Sequence, residues 1–322
     1  MLFRTVVPIN KSTIQFSQSN RVFLAGSCFA EKMQYFFHRS GFATKSNSHG
    51  IIFDPIALAN AMQDVLSKKE YDESDLIWHE DRFLSLAHHG SFSRGNSEEL
   101  LNGINESIRN SADFLNSESI CFFTFGNANT FIHNASERNV ANCHRLPGAS
   151  FYRRMYSASE IVEKWKPILN QLFMQFPGIK VVFTVSPVRY LKDGMVENQI
   201  SKANLLLAVH ALCASFEHCN YFPAYEILMD DLRDYRFYAN DMIHPSEEAQ
   251  KYIWKYVLES MTDEQSSKLA DKIYDATLIS DHRPQNEGLY RKQLNESRLK
   301  LEILLRESNS LANADDLIKK AL

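Results

Sequence analysis

An α/β domain with a mainly parallel sheet is what this chain predicts, on three observations. Short β-branched or aromatic runs, Arg21 to Ala25, Phe42 to Ser46, Ile120 to Phe125 and Ile179 to Val185, alternate with longer stretches of helical period. Helix starts carry capping chemistry: Asp54-Pro55 reads as N-cap plus first helical residue, and Ser246 precedes Glu247-Glu248. The composition is that of a globular protein, 322 residues with 44% hydrophobic, 12% aromatic and 23% charged, which excludes a disordered, collagen-like or coiled-coil chain.

Taken in order, the first strand ends at Gly26. A helix with Phe29, Met33, Phe36 and Phe37 on its apolar side follows and stops near Gly41, a natural C-cap. After the second strand, Asp54 opens a helix through about Leu66. Tyr71 to Ser119 reads as an excursion, an insertion at about 70–118, with aromatic pieces around Trp78 and Phe83, then His88-His89-Gly90, then a polar helix. Between the strands at 120 and 179 lie a loop or hairpin, Phe131 to Pro147, and a helix at Ile161 to Phe173 whose solvated start is read at Tyr152-Arg153-Arg154. A long helix, about Asn198 to Glu217, leads to a short strand at Tyr221-Phe222, a polar turn at Asn240 to His244, and a helix at Ser246 to Leu258. From Thr262 onward the pattern is helical only, with Leu289, Leu294, Leu301, Leu304 and Leu305 on one face. The expected division is one domain over 1–261 and a helical appendage over 262–322 that packs on the domain or on a second copy, giving a homodimer through the C-terminal helices.

Lys plus Arg total 35 against 39 Asp plus Glu, a formal charge of -4, and no basic run stands out. Neither a nucleic acid nor a membrane surface is therefore an expected partner, because the counterion-release term is missing. Five cysteines, an odd set with no CxxC pair, argue against a disulfide framework and a thiolate zinc site. The start, MLFRTVVPINKSTIQF, lacks the pattern of a secretory signal, and apolar runs such as Ile120 to Phe125 are far short of the roughly 20 residues a membrane helix needs. A cytoplasmic protein is expected, so the glycosylation sequon Asn134-Ala135-Ser136 has no route to use.

Gly26-Ser27-Cys28-Phe29-Ala30 lies where the first strand gives way to a helix, at the carboxyl edge that binds ligands in open parallel sheets. A serine there has its hydroxyl at the crevice and its amide at a helix N-terminus, ready for a developing oxyanion. The plainer reading is that Ser27 caps the helix. Asp241-Met242-Ile243-His244 sits on a turn before another helix. That spacing can set carboxylate beside imidazole, fixing the tautomer and leaving the other nitrogen to take a proton from a serine. Alone, such a spacing is more simply a surface turn. Cys28 enters the helix about 100° away from Ser27 and is expected to pack inward. His88-His89 and Cys143-His144 lack a third ligand at matching spacing, so no metal is expected. No phosphate-binding or dinucleotide glycine pattern occurs, and no cofactor is implied.

A serine straight after the first strand with Asp-x-x-His near the end of the domain resembles the SGNH (GDSL-like) hydrolase superfamily. Gly26 to Ala30 reads GSCFA letter for letter, and the chain is similar to the GSCFA family within it. Asn142-Cys143-His144 with Pro147, Phe183 to Arg189, Asn198 to Leu207, and Tyr235-Arg236-Phe237-Tyr238 leading into Asp241 to Pro245 support the likeness, which covers about residues 20 to 260. The resemblance implies a flavodoxin-like three-layer sandwich, with Ser27 as nucleophile, His244 as base and Asp241 as its orienter. It further implies an oxyanion hole from the amides of Ser27 and Gly50 and an asparagine side chain. The superfamily's Gly-x-Asn-Asp falls on Gly126-Asn127-Ala128-Asn129, with Asn127 one place early and Asn129 one late. Asn129 is ranked first, with Asn127 and Asn142 as alternatives.

The expected activity is that of a serine hydrolase or esterase acting on a small acyl ester, such as an acetylated carbohydrate, through an acyl-enzyme. The alternatives are an acyltransferase on the same triad and a non-catalytic module that binds a glycan or peptide. His89 and Arg189 are candidate substrate contacts, the latter for an anionic group or, equally, as half of a structural ion pair.

Overall fold

The computed structural model describes residues 4–278 and 287–307. The first half of the chain forms β1 (Arg21–Gly26), α1 (Cys28–Arg39), β2 (Ala43–Ser46), α2 (Pro55–Ser67), β3 (Ile77–His79), β4 (Arg82–Leu84), α3 (Ser97–Phe114) and β5 (Ile120–Phe125). The second half adds β6 (Asn129–His133), β7 (Arg138–Val140), β8 (Phe151–Met155), α4 (Ala158–Gln175), β9 (Lys180–Val185), α5 (Met195–Ser215) and β10 (Cys219–Tyr221). A short α6 (Ala224–Glu226) runs into a π turn at Ile227–Asp231, and α7 (Glu247–Met261), α8 (Glu264–Thr277) and α9 (Glu287–Glu307) follow.

Five strands form a wholly parallel sheet in the order β2-β1-β5-β9-β10. Counting only its own strands the order is 2-1-3-4-5, the doubly wound arrangement whose ligand crevice opens where the winding reverses, at the carboxyl ends of β1 and β5. Every residue of β5 is buried, as a central parallel strand covered on both faces requires. Phe23, Phe123, Phe125 and Phe183 face the side of α2, α4 and α5, with Trp165 fully buried among them. Val22, Leu24, Phe122 and Val182 face α1 and α7. Trp165 donates from Nε1 to the Pro55 carbonyl at 2.9 Å, tying α4 to the start of α2.

Asp54 caps α2, accepting from the Ile56 and Ala57 amides at 3.1 and 2.8 Å, and Ser246 caps α7 through the Ala249 amide. The insertion holds the β3–β4 hairpin, turned through Glu80 and Asp81 at φ 45 and 60, and α3, closed around Tyr71, Leu100, Ile104 and Ile108. α8 buries Ala270 and Ile273, and a Cβ on Gly41 would lie 2.7 Å from Ile273 Cδ1. α9 lies against α8, with Leu301 and Leu304 buried, Leu294 half-buried and Leu289 exposed. The Leu305 side chain and residues 279–286 and 308–322 of the expected helical tail lie outside the described residues.

One expectation is corrected. Tyr152-Arg153-Arg154 is not the start of a helix: it is the middle of β8, which pairs with β6 in a three-stranded antiparallel sheet, β7-β6-β8. Ion pairs of Arg153 with Asp193 and Arg154 with Glu160 accommodate the charges, so a polar run sits in a strand whose partner, β6, buries Thr130 and Ile132. Among the described residues no helix is long and apolar enough to cross a membrane.

Candidate active site

The pinch between β1 and β5 decides where Ser27 sits. Gly26 has φ +134, and a Cβ there would fall 2.2 Å from the Thr124 carbonyl oxygen, so only glycine lets the chain turn at this point. Ser27 occupies the N-cap position of α1 in extended conformation, yet its hydroxyl makes no capping bond. It is 1% exposed and its Oγ has no hydrogen-bond partner among the described residues. Capping therefore does not account for this serine. A buried hydroxyl left unpaired costs about 1–3 kcal/mol, which marks the position as one held for something other than stability.

Across the crevice, Gly126 lets the segment after β5 lie against the serine: a Cβ there would be 3.3 Å from Ser27 Cβ and 3.0 Å from the Phe53 carbonyl oxygen. The Gly126 and Asn127 amides both donate to that carbonyl, at 2.8 and 3.0 Å. Beneath them, Lys202 of α5 is 1% exposed and donates to the carbonyls of Gly126 at 2.7 Å and Ser186 at 2.6 Å. Burial drives its ammonium down to about 7, with Cys28 pulling the other way and Arg189 adding to the fall. Lys202 was not singled out from the sequence. The available signal was its place on the buried stripe of α5, in line with Leu205, Val209 and Leu212, where a lysine is out of character.

Asp241 and His244 form a compact pair. Asp241 Oδ2 lies 2.6 Å from His244 Nδ1, and Oδ1 accepts from the Ile243 and His244 amides at 2.9 and 3.0 Å. Those bonds, the His244 amide first and its imidazole next, hold the Asp241 carboxyl down at about 2. The pair is about half exposed, and the turn is joined to the loop after β9 by the Arg189 amide donating to the Ile243 carbonyl at 3.3 Å. His244 and Ser27 thus belong to the same sheet edge by topology, but no hydrogen bond joins them in this structure.

The residues assigned to an oxyanion hole each make hydrogen bonds within the chain. The Ser27 amide donates to the Thr124 carbonyl at 3.2 Å and the Gly50 amide to the Asn47 carbonyl at 2.8 Å. Asn129 Nδ2 donates to Asp193 at 3.1 Å, while Asn127 Oδ1 accepts from Ser201 Oγ and the Asn129 amide. Burial works to raise the Asp193 carboxyl, and Arg153 with both asparagines outweighs it, so the group is held low. Asn142 accepts from the His144 amide through Oδ1 at 2.8 Å, and its Nδ2 lies 3.9 Å from where a Gly90 Cβ would be. Gly50, at φ +79, is pressed on His89, whose Cβ would be 2.3 Å from a Cβ on the glycine, so Gly50, His89, Gly90 and Asn142 share one neighbourhood. Arg189 makes no ion pair among the described residues and donates to Met229 Sδ at 3.3 Å. Cys28 is half-buried beside a fully buried Ser27, so it packs inward in part. Among the described residues no three His, Cys, Asp or Glu side chains are grouped to hold a metal ion.

A parallel doubly wound domain with a buried serine closing its first strand and an Asp–His pair on a loop defines a class of α/β protein. More narrowly, the GSCFA family model matches residues 21–256, and the chain belongs to the GSCFA family. Compared with curated proteins, the chain has no significant match. Among solved structures it is similar to a protein provisionally described as a platelet activating factor from Streptococcus pneumonia, at 11% identity and TM-score 0.38, covering 76% of this chain and 84% of that one. It is also similar to a carbohydrate esterase family 3 protein from Talaromyces cellulolyticus, at 10% identity and TM-score 0.35, covering 80% of this chain and 99% of that one.

Proposed function

We propose that the protein is a serine esterase acting on a small acyl ester, such as an acetylated carbohydrate. What supports the reading is the Ser27 hydroxyl, buried and without a hydrogen-bond partner among the described residues at the carboxyl edge of β1, together with a His244 imidazole already oriented by Asp241. In this reading Ser27 Oγ attacks the ester carbonyl and its proton passes to His244 Nε2, which returns it to the leaving alcohol. Water then attacks the acyl-enzyme, giving up its proton to the same nitrogen. A second hydroxyl in place of water makes the same triad an acyltransferase. The turn at 239–245 must close on Ser27 for this, and catalytic hydrogen bonds that are long in the free enzyme commonly tighten with substrate. Labelling by a fluorophosphonate probe and turnover of short-chain nitrophenyl esters test it. Wild type that does neither, or Ser27→Ala that does both as well as wild type, defeats the reading.

A second reading, a module that binds a glycan or peptide without catalysis, is favoured by a cavity of about 590 Å³ away from Ser27, between α2, the 71–77 segment and the β6–β7 hairpin. Its wall carries His49, Asp64, Lys69, Tyr71, Arg138 and Lys164. His49 Nε2 and Tyr71 Oη both meet Asp64 Oδ2, at 3.1 and 2.6 Å. Saturable glycan binding that Ser27→Ala leaves intact, in a protein that no probe labels, would establish this reading over the first.

A further inference from the structure

Lys202 is a buried group of this crevice that the proposed triad does not use, and its surroundings are unusual for a lysine. Among the described residues no carboxylate makes a hydrogen bond or ion pair with it. Its ammonium faces two backbone carbonyls, those of Gly126 at the end of β5 and Ser186 at the end of β9, and lies 5.8 Å from the centre of the Tyr225 ring. The other titratable groups that face it are the Cys28 thiol from the first turn of α1 and Arg189 from the loop after β9. A buried cation that relies on carbonyl dipoles is far costlier than an apolar residue of similar length, so a purely structural filler at this position would be a methionine or leucine.

We infer that Lys202 is the positioning residue of the nucleophile crevice: it draws the ends of β5 and β9 together under Ser27 and places a positive charge beneath the first turn of α1. The role rests on the esterase reading for its catalytic consequence, though not for its electrostatic one. Gly126 is the contact through which it acts. A Cβ on that residue would crowd the Phe53 carbonyl oxygen at 3.0 Å and stand 3.3 Å from Ser27 Cβ. Releasing its carbonyl from Lys202 shifts the wall against which the serine is held. The charge acts on what ionises nearby. Below a pH of about 7 the ammonium is protonated and favours an anion at the start of α1, an oxyanion formed on Ser27 or the Cys28 thiolate, the latter against burial and Glu31, which together hold that thiol up; above it the field is gone.

The test uses the full chain, with Lys202→Met and Lys202→Arg beside wild type and melting curves confirming that each variant folds. Two rates are followed from pH 6 to 9: fluorophosphonate labelling of Ser27, and iodoacetamide alkylation of Cys28 read by peptide mass. Lys202→Met should slow labelling about tenfold or more, with the loss in kcat on nitrophenyl esters rather than in KM, and Lys202→Arg should recover part of it. Cys28 alkylation should be about threefold or more faster in wild type than in Lys202→Met below pH 7, the ratio falling to one as pH rises through the lysine's titration. A structural role alone predicts a ratio that does not change with pH. Wild type that is never labelled, with the pH-dependent Cys28 ratio present, sinks the esterase reading and leaves Lys202 as the crevice cation. A pH-independent Cys28 ratio, or labelling unchanged in Lys202→Met, overturns the inference itself.

Discussion

Asp54 offers the sharpest quantitative check on how the crevice is built. It caps α2 just after Phe53, whose carbonyl anchors Gly126 and Asn127, and it is 6% exposed. Burial pushes its carboxyl up from 3.8 to about 6, against the opposing hydrogen bonds of the Ala57 amide, Thr130 and the Ile56 amide. The folded state therefore binds a proton that the unfolded chain releases between roughly pH 4 and 6, and stability falls as pH rises through that window. A shift of about two units corresponds to about 3 kcal/mol, since each unit is worth about 1.4 kcal/mol. Asp54→Asn keeps an oxygen for the two helix amides and removes the ionisation. Whatever its stability at pH 4, it should gain about 3 kcal/mol on wild type between pH 4 and 7, or roughly 5 °C or more in melting temperature. Urea unfolding of both proteins at half-unit pH steps measures this directly. Parallel curves for the two proteins would refute the argument, because they would mean the carboxylate's bonds to the α2 amides fully offset its burial.

Other predictions bear on the site and its support. Asp241→Asn should lower ester turnover by about 10² or more while leaving KM near that of wild type, because it frees the imidazole orientation without touching the pocket; equal turnover would remove His244 as the base. Since Asp241 is held at about 2, it stays charged throughout the working range and adds no limb to the pH–rate profile. Gly26→Ala should destabilise the fold by about 2 kcal/mol or more in urea titration, its Cβ being driven into the Thr124 carbonyl at a left-handed φ; a neutral effect would mean that β1 can turn otherwise. Leu299 and Ile303 of α9 are 60% and 50% exposed, and a homodimer through the C-terminal helices predicts that Leu299→Glu with Ile303→Glu halves the mass seen by light scattering. A wild-type chain that is already monomeric disposes of that dimer.

How far the sequence could be read follows from what kind of force sets each feature. Strands at 21–26, 120–125 and 180–185 were legible because a central parallel strand is buried on both faces and so reads as a nearly continuous apolar run. Asp54 and Ser246 were legible because capping is local chemistry between residues three apart. β8 was not, since Phe151–Met155 is a strand by virtue of pairing with β6, and its arginines are satisfied by Asp193 and Glu160, partners that periodicity within the segment cannot reveal. The same divide runs through the site. Asp241 and His244 lie three positions apart, and their contact could be anticipated from spacing alone. The hole donors could not, because Asn129 is drawn to an aspartate 64 positions away and the Gly50 amide to a turn within its own loop.

Lys202 shows why the long-range part carries most of the functional weight. Its identity is visible in the sequence, but its meaning depends on two carbonyls, from β5 and β9, converging on one point of α5. Each of those carbonyls ends a strand, so their dipoles point out of the sheet toward the crevice and would repel one another across it. A cation there resolves that repulsion and sets the spacing of the two strand ends, and with it the wall against Ser27. A hydrophobic side chain could fill the space but not bind the carbonyls, and a carboxylate would add to their field. The residue type at position 202 is thus dictated by the geometry of the parallel sheet's carboxyl edge, the edge on which the proposed chemistry also depends.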